Sequence, residues 1–409
     1  MRGETVPALR ALRSQVLPLI DPEAQPLPSH PHTAFAWPTR LCSIGCAHCS
    51  FGARRTGRPE TRRVAEHADG LVEWLVAAKA RRLVICGGGE PLDEPAFVED
   101  ALRRCAERSL PVELYTAGIS LLHRTPAADV IAGLRRAHAG ATTPLAVRLS
   151  VDAFHEERIG LEPVAQWIED QERLAPEWRL SLRGIRVVGD GSIERLAARL
   201  GAELERSAKG TGWMTLRSGR KLLCEWKGFV LENRGSLDVL ASRGLTLPEP
   251  ERDTLARVIP DQDGRGVGRP FSARLTVTHR RIDLEIHSCG TVNILESQAT
   301  DLRMRFLDHS WDEMRSAYFR DPLLHRIVVR DLPGIAELIA AARKAGVGGR
   351  SVPAFSLQNL RDDDVLNAIT ALALVQRIGD FTYPPQALEA AQRVVEAYGL
   401  ASGAAAAAS

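Results

Sequence analysis

The sequence predicts an α/β fold: a partial (β/α)6 barrel of the TIM type with a C-terminal α+β extension. Two observations predict it. From about residue 33 to about residue 210, short β-rich runs alternate with longer segments whose apolar residues recur at three- and four-residue spacing, the rhythm of parallel strands joined by crossover helices. After about residue 217 that rhythm gives way to an irregular β-rich stretch and then a mainly helical remainder. A chain of 409 residues has room for one large unit and a smaller one. The expected division is 1–33 (N-terminal helix and linker), 34–216 (barrel), 217–402 (a C-terminal substrate or lid region) and 403–409 (a low-complexity tail).

The elements follow in order. Val6 to Ile20 is amphipathic, and Pro26, Pro28 and Pro31 make a linker into the first strand. Strands are expected near Thr33 to Leu41, Arg82 to Cys86, Val112 to Thr116, Ala146 to Val151 and Leu182 to Val188, with a sixth near Trp213 to Leu216. Helices are expected over Ala65 to Lys79, Pro95 to Arg108, Ala127 to Ala137, Glu162 to Leu174 and Ser192 to Glu205. Beyond them, Arg274 to His279 and Arg281 to Ile286 pattern as a hairpin continued by Thr291 to Leu295. In a barrel of this kind chemistry collects at the C-terminal ends of the strands, where the loops converge.

Composition narrows the partners. Fifty-three basic residues against 51 acidic ones give a net charge of +2, which supplies no electrostatic reason to expect nucleic acid or an anionic membrane. No run approaches the roughly 20 apolar residues needed to span a bilayer, and the expected location is cytoplasmic. Seven cysteines, three of them between Cys42 and Cys49, suit a metal site in a reducing compartment better than a disulfide framework.

Cys42, Cys46 and Cys49 form C-x3-C-x2-C directly after the first expected strand, so one loop offers three thiolates to one small volume. A 4Fe-4S cluster normally takes four cysteines, and a loop with three leaves one iron open to a non-protein ligand. A zinc knob completed by His48 or a distant histidine is the alternative reading of the same residues. The run from Leu41 to Cys49 resembles the signature of the radical S-adenosylmethionine (radical SAM) superfamily. The resemblance implies a single 4Fe-4S cluster on these three cysteines, whose open iron is chelated by the amino and carboxylate groups of S-adenosylmethionine. It further implies reductive cleavage to a 5′-deoxyadenosyl radical, and a reductant such as flavodoxin or ferredoxin. The residue before the third cysteine, usually aromatic in that family and packed near the adenine, is His48 here.

Further motifs extend the resemblance over about residues 34 to 210. Gly87-Gly88-Gly89-Glu90-Pro91-Leu92 follows the second strand and resembles the family's Gly-Gly-Glu motif, which implies Gly88, Gly89 and Glu90 around the methionine amino group. In the fourth strand Arg148, Ser150 and Asp152 share one face by period two. The resemblance implies Arg148 at the methionine carboxylate and Ser150 with Asp152 at the ribose; a barrel ion pair made by Arg148 is the plainer account. Thr116 ends the third strand where many members carry a Thr-Asn-Gly-like turn, with Ala117 in place of the asparagine. The segment around Val187 resembles the apolar stretch that flanks adenine, and reads equally well as core strand.

The second half points to the substrate less directly. Cys224 and Cys289 are candidate hydrogen-atom donors to a substrate radical, or buried core cysteines. His155, Glu156 and Glu157 follow the fourth strand, where they can meet a polar substrate at the barrel mouth or open a solvated helix. The cysteines are too few for auxiliary clusters and the N-terminal segment too short for a leader-binding domain. The expected substrate is therefore a small polar molecule such as a sugar, aminocyclitol or amino-acid derivative, with a peptide maturase second. A zinc-stabilised, non-catalytic binding protein is the rival from another class. Oligomeric state is left open.

Overall fold

The structure is a computed structural model, and it describes residues 29–49, 53, 63–207, 210–228, 239–246, 282–294 and 304–320. The expected N-terminal helix, the strand at 274–279 and the tail lie outside the described residues. The strands are β1 (Pro31–Ala36), β2 (Arg82–Ile85), β3 (Val112–Thr116), β4 (Ala146–Ser150), β5 (Arg179–Arg186), β6 (Glu203–Arg206), β7 (Thr211–Thr215), β8 (Lys221–Gly228), β9 (Ile282–Ile286) and β10 (Val292–Ile294). The helices are α1 (Arg63–Glu66), α2 (Ala68–Ala77), α3 (Pro95–Glu107), α4 (Ala127–Ala137), α5 (Ala153–Ile159), α6 (Glu162–Leu174), α7 (Ser192–Leu200) and α8 (Trp311–Arg320).

The ten strands among the described residues form one sheet in the order β10-β9-β1-β2-β3-β4-β5-β8-β7-β6. From β9 to β8 every neighbouring pair is parallel. Among the described residues the sheet does not close on itself, because β10 and β6 are its two ends. The strand expected near Trp213 to Leu216 forms as β7, but it runs antiparallel to β8 and to β6. The short Arg217-Ser218-Gly219-Arg220 turn between β7 and β8 dictates this, since a parallel pair needs a crossover of a dozen or more residues. The strand that extends the parallel series beside β5 is β8, and β9 extends it on the far side of β1. The helix expected to run to Glu205 stops at Leu200, where Gly201 takes a left-handed φ of 59° and releases the chain into β6.

One face of the sheet carries the core. Ala34 and Ala36, Leu83 and Ile85, Val112 and Leu114, Val147 and Leu149, Leu180 and Leu182, Leu222 and Cys224, and Ile282, Leu284 and Ile286 are all buried in one cluster. Helix residues such as Leu71, Leu75, Leu102, Ile131, Trp167 and Leu196 belong to the same cluster. Each fully buried side chain of this size stabilises the fold by about 1.5–3 kcal/mol. The alternate residues fall on the second face, which carries many polar side chains, Asp283 and Glu285, Glu113 and Tyr115, Arg148 and Ser150, Ser181 and Arg183, Glu225 and Lys227, beside an apolar patch that includes Phe35 and Val84.

Candidate functional site

The loop after β1 carries the three cysteines, all partly exposed and free of disulfides. Gly45 has a φ of 63° and the Cys49 N–H donates to the Cys46 carbonyl at 3.2 Å, so the loop turns tightly between its second and third thiols. Burial pushes the Cys42 thiol up to about 12, against the N–H groups of Gly45 and Ile44 that favour the thiolate. A thiolate held there therefore needs a cationic partner, which iron or another metal supplies. The loop is tied down twice: Arg158 donates through Nε to the Ile44 carbonyl at 2.9 Å, and the Ser43 N–H donates to Asp93 at 2.7 Å.

The glycine loop after β2 lies against the cysteine loop. A Cβ on Gly89 would stand 1.8 Å from the Leu41 carbonyl oxygen, and one on Gly88, whose φ is 93°, would stand 2.9 Å from the Thr39 carbonyl oxygen. These glycines are thus required by close contact between two backbones, immediately before Cys42. Glu90 is buried and holds the next loop in place as well. It accepts hydrogen bonds from the Leu92 N–H at 3.0 Å, the Ala117 N–H at 2.9 Å and the Thr116 hydroxyl, while Thr116 accepts from the Gly118 N–H at 3.0 Å. Burial raises the Glu90 pKa to about 7, with these donors opposing the rise. Glu90 and Thr116, both expected to face the cofactor, are in this structure partners of each other.

The residues after β4 meet the cysteine loop from the other side. Asp152 is the N-cap of α5, accepting from the Phe154 and His155 N–H groups at 3.0 Å each, and it lies 2.8 Å from His155 Nδ1 and 3.8 Å from His48 Nε2. Burial works against its charge, but the His155 imidazole and these donors outweigh burial and hold the carboxyl below its ordinary range. Burial likewise opposes the charge on His155, and Asp152 with Cys46 outweighs it, so that His155 is held well above its usual value. His48 stacks on Phe154 with ring centroids 4.3 Å apart. Val187 joins Phe154, Leu240 and Leu245 in a small apolar cluster that packs against Cys46. The structure therefore brings His48, Asp152, His155 and Val187 together around Cys46.

Among the described residues, one trio of potential metal donors has every donor atom within 4.8 Å of the others: His48, Asp152 and His155. The three thiols do not form such a set. In donor chemistry the loop fits an iron–sulfur group with one iron left to another ligand.

Other expected residues are placed elsewhere. Arg148 lies over the Tyr115 ring at 3.1 Å and 3.5 Å from Glu225, as a barrel ion pair would; burial and the neighbouring Arg183 bring its pKa down to about 10. Ser150 sits on the polar face opposite Arg183. Glu156 is committed to α7, accepting from Arg195 at 2.6 Å and Ser192 at 2.6 Å, and Glu157 pairs with Arg243 at 2.6 Å. Cys224 is fully buried on the helix side of β8, opposite Leu182, so its sulfur faces away from the polar face. Cys289 lies in the turn after β9, 3.2 Å from the Thr291 hydroxyl, at the same end of the sheet as the cysteine loop.

The polar face holds side chains that the sequence reading did not single out. Arg183 and Glu225 pair at 2.8 Å, Arg82 and Glu113 at 2.7 Å, and the Tyr115 hydroxyl donates to Glu113 at 3.0 Å. Near β9, His287 stacks on Trp37 at 4.0 Å, lies 3.6 Å from Glu285 and contacts Asn293 at 3.3 Å. The alternation Ile282-Asp283-Leu284-Glu285-Ile286 is the signal that could have revealed it.

Residues 38–175, from the cysteine loop through α6, match the family model described as the radical SAM superfamily. Over that segment the chain is similar to the radical SAM superfamily. The match supports an enzyme, and the superfamily that this segment resembles implies S-adenosylmethionine and a 4Fe-4S cluster. A search of curated proteins finds no significant match. Among solved structures, the chain overlaps Streptococcus suis SuiB bound to precursor peptide SuiA with a TM-score of 0.42 and 14% identity, covering 74% of this chain and 67% of that one. So loose an overlap does not bear on this chain's substrate.

Proposed function

We propose that Cys42, Cys46 and Cys49 hold one 4Fe-4S cluster, and that the enzyme cleaves S-adenosylmethionine reductively to abstract hydrogen from a small polar substrate. The cluster, when bound, supplies the electron that breaks the sulfonium C–S bond. The chain's own residues bind and orient. Val187 and His48 offer an apolar and aromatic wall beside Cys46, suited to the adenine. Glu90 shapes the loop that faces Cys42, and Arg148 with Ser150 offers a cation and a hydroxyl on the polar face.

The observation that carries the substrate class is that polar face. Arg82, Arg148, Arg183 and Lys227 alternate there with Glu113, Glu225, Asp283 and Glu285. Charges of both signs favour a substrate that is itself polar or zwitterionic, because its groups can exchange with those ion pairs, whereas an apolar one would only take the pairs out of water. Anaerobic reconstitution tests the cofactor reading. The expected protein is brown and oxygen-sensitive, and it releases 5′-deoxyadenosine with reductant, whereas Cys46→Ala loses both colour and cleavage. A colourless chain with one zinc would overturn it. Deuterium transfer from candidate sugars and amino-acid derivatives into 5′-deoxyadenosine tests the substrate class; transfer only from a peptide would overturn that part.

A further inference from the structure

We infer that Asp93 is a positioning residue for the cluster, acting through Ser43 to fix the cysteine loop before iron arrives. The inference rests on the reading that Cys42, Cys46 and Cys49 are the cluster ligands. Asp93 closes the short 3-10 turn Pro91–Asp93 after the glycine loop, three residues beyond Glu90, and is outside the motif that the family resemblance brings to attention. It is 7% exposed, as is Ser43, and Ser120 is 6% exposed.

Its carboxylate gathers three loops. Oδ2 accepts from the Ser43 N–H at 2.7 Å, and Oδ1 accepts from the Ser43 hydroxyl at 2.8 Å and the Ser120 hydroxyl at 2.6 Å. The network continues outward without a gap. The Ser43 hydroxyl accepts from the Leu121 N–H at 3.0 Å, the Ser120 hydroxyl accepts from the Leu122 and His123 N–H groups at 3.2 Å each, and His123 Nε2 lies 3.1 Å from the Asp93 carbonyl. One anion thus joins the loops after β1, β2 and β3, and the residue it grips twice is the one immediately after Cys42.

Two consequences follow from the chemistry. A loop clamped at Ser43 presents its thiols in place, so less order has to be created when the cluster binds. A buried negative charge bonded to the residue beside a cluster ligand also disfavours adding an electron to the cluster, and so lowers its potential. Asparagine has the volume of aspartate but no charge, and its amide cannot accept at both positions. Asp93→Asn therefore removes the charge and one of the two acceptor oxygens, weakening the clamp without opening a cavity.

The test uses the full chain, wild type against Asp93→Asn, Ser43→Ala and Ser43→Thr. It reads iron and acid-labile sulfide after anaerobic reconstitution, the cluster midpoint potential by EPR-monitored titration, and the rate at which Cys42 is alkylated in the cluster-free protein. Asp93→Asn is expected to retain roughly half the wild-type iron or less and to shift the potential of the remainder positive. Its Cys42 should alkylate roughly tenfold faster while buried Cys105 stays protected, which separates loop release from general unfolding. Ser43→Ala, which keeps only the N–H contact, should move alkylation the same way, and Ser43→Thr, which keeps the hydroxyl, should restore wild-type behaviour. Wild-type iron content, potential and alkylation in Asp93→Asn would overturn the inference. A wild-type chain that takes up no cluster would instead overturn the ligand reading, with the alkylation arm still deciding whether Asp93 clamps the loop.

Discussion

At the scale of single residues, the site is built from groups that serve the loops as much as any ligand. Glu90 shows this through its titration. Its pKa rises from 4.5 to about 7 because burial disfavours the charged form, so the folded state holds the proton more tightly than the unfolded chain does. That contribution to stability is complete below the ordinary value and is lost as pH climbs through about 7. In the cluster-free protein, wild type should therefore lose stability relative to Glu90→Gln between about pH 5 and pH 8, read as converging or crossing urea midpoints. A difference that stays constant with pH would refute it. Gly89 makes a second case. With a Cβ 1.8 Å from the Leu41 carbonyl, Gly89→Ala must displace backbone, and a loss of about 1–3 kcal/mol or more in urea unfolding is expected, with weaker iron uptake because Cys42 is next in the chain. The cysteine triplet and the glycine loop were legible in the sequence, because each is a local pattern with a local chemical meaning. That the glycines answer to Leu41 and Thr39 was not legible, because the contact joins two loops separated by a strand and two helices.

At the scale of elements, α5 decides what Asp152 can do. A helix of seven residues has little stability of its own, and its N-cap supplies acceptors for two otherwise orphaned N–H groups. Asp152→Ala should cost about 1–2 kcal/mol from the cap alone. Asp152→Asn keeps the cap acceptor and should recover most of that stability, measured by chemical denaturation; recovery of cofactor affinity without recovery of stability would instead argue for a ribose contact. β8 gives the complementary lesson. Period two placed Arg148 and Ser150 correctly on one face, since a strand fixes its faces by alternation alone. The same argument could not assign Cys224, because β8 had not been recognised as a strand and its register against β5 is a long-range fact. With its sulfur in the helix-side core, Cys224→Ala should leave 5′-deoxyadenosine and product yields unchanged while lowering the melting temperature slightly. A changed product distribution would contradict that placement.

For the whole molecule, the sheet makes the two halves of the sequence interdependent. The rhythm of strand and helix up to about residue 210 revealed β1 to β5, because crossover connections are read from consecutive segments. It set a boundary at 216, where the rhythm changes, and yet β8, β9 and β10 lie beyond that point and belong to the same sheet. β8 covers the open edge of β5 over Ser181 to Arg186, and β9 covers that of β1 over Pro31 to Ala36. Their apolar sides, Leu222, Cys224, Ile282, Leu284 and Ile286, are part of the one continuous core. A chain ending at residue 216 would expose two hydrophobic parallel edges at once, each a template for pairing with another molecule. It would also leave Arg148 and Arg183 without the Glu225 carboxylate they share. Such a fragment, although it contains the complete cysteine and glycine loops, should therefore aggregate or fail to unfold cooperatively, as judged by light scattering and urea titration. A soluble, cooperatively folding fragment that still takes up iron would show that the parallel series from β1 to β5 is self-sufficient, and that β8 and β9 serve only the polar face.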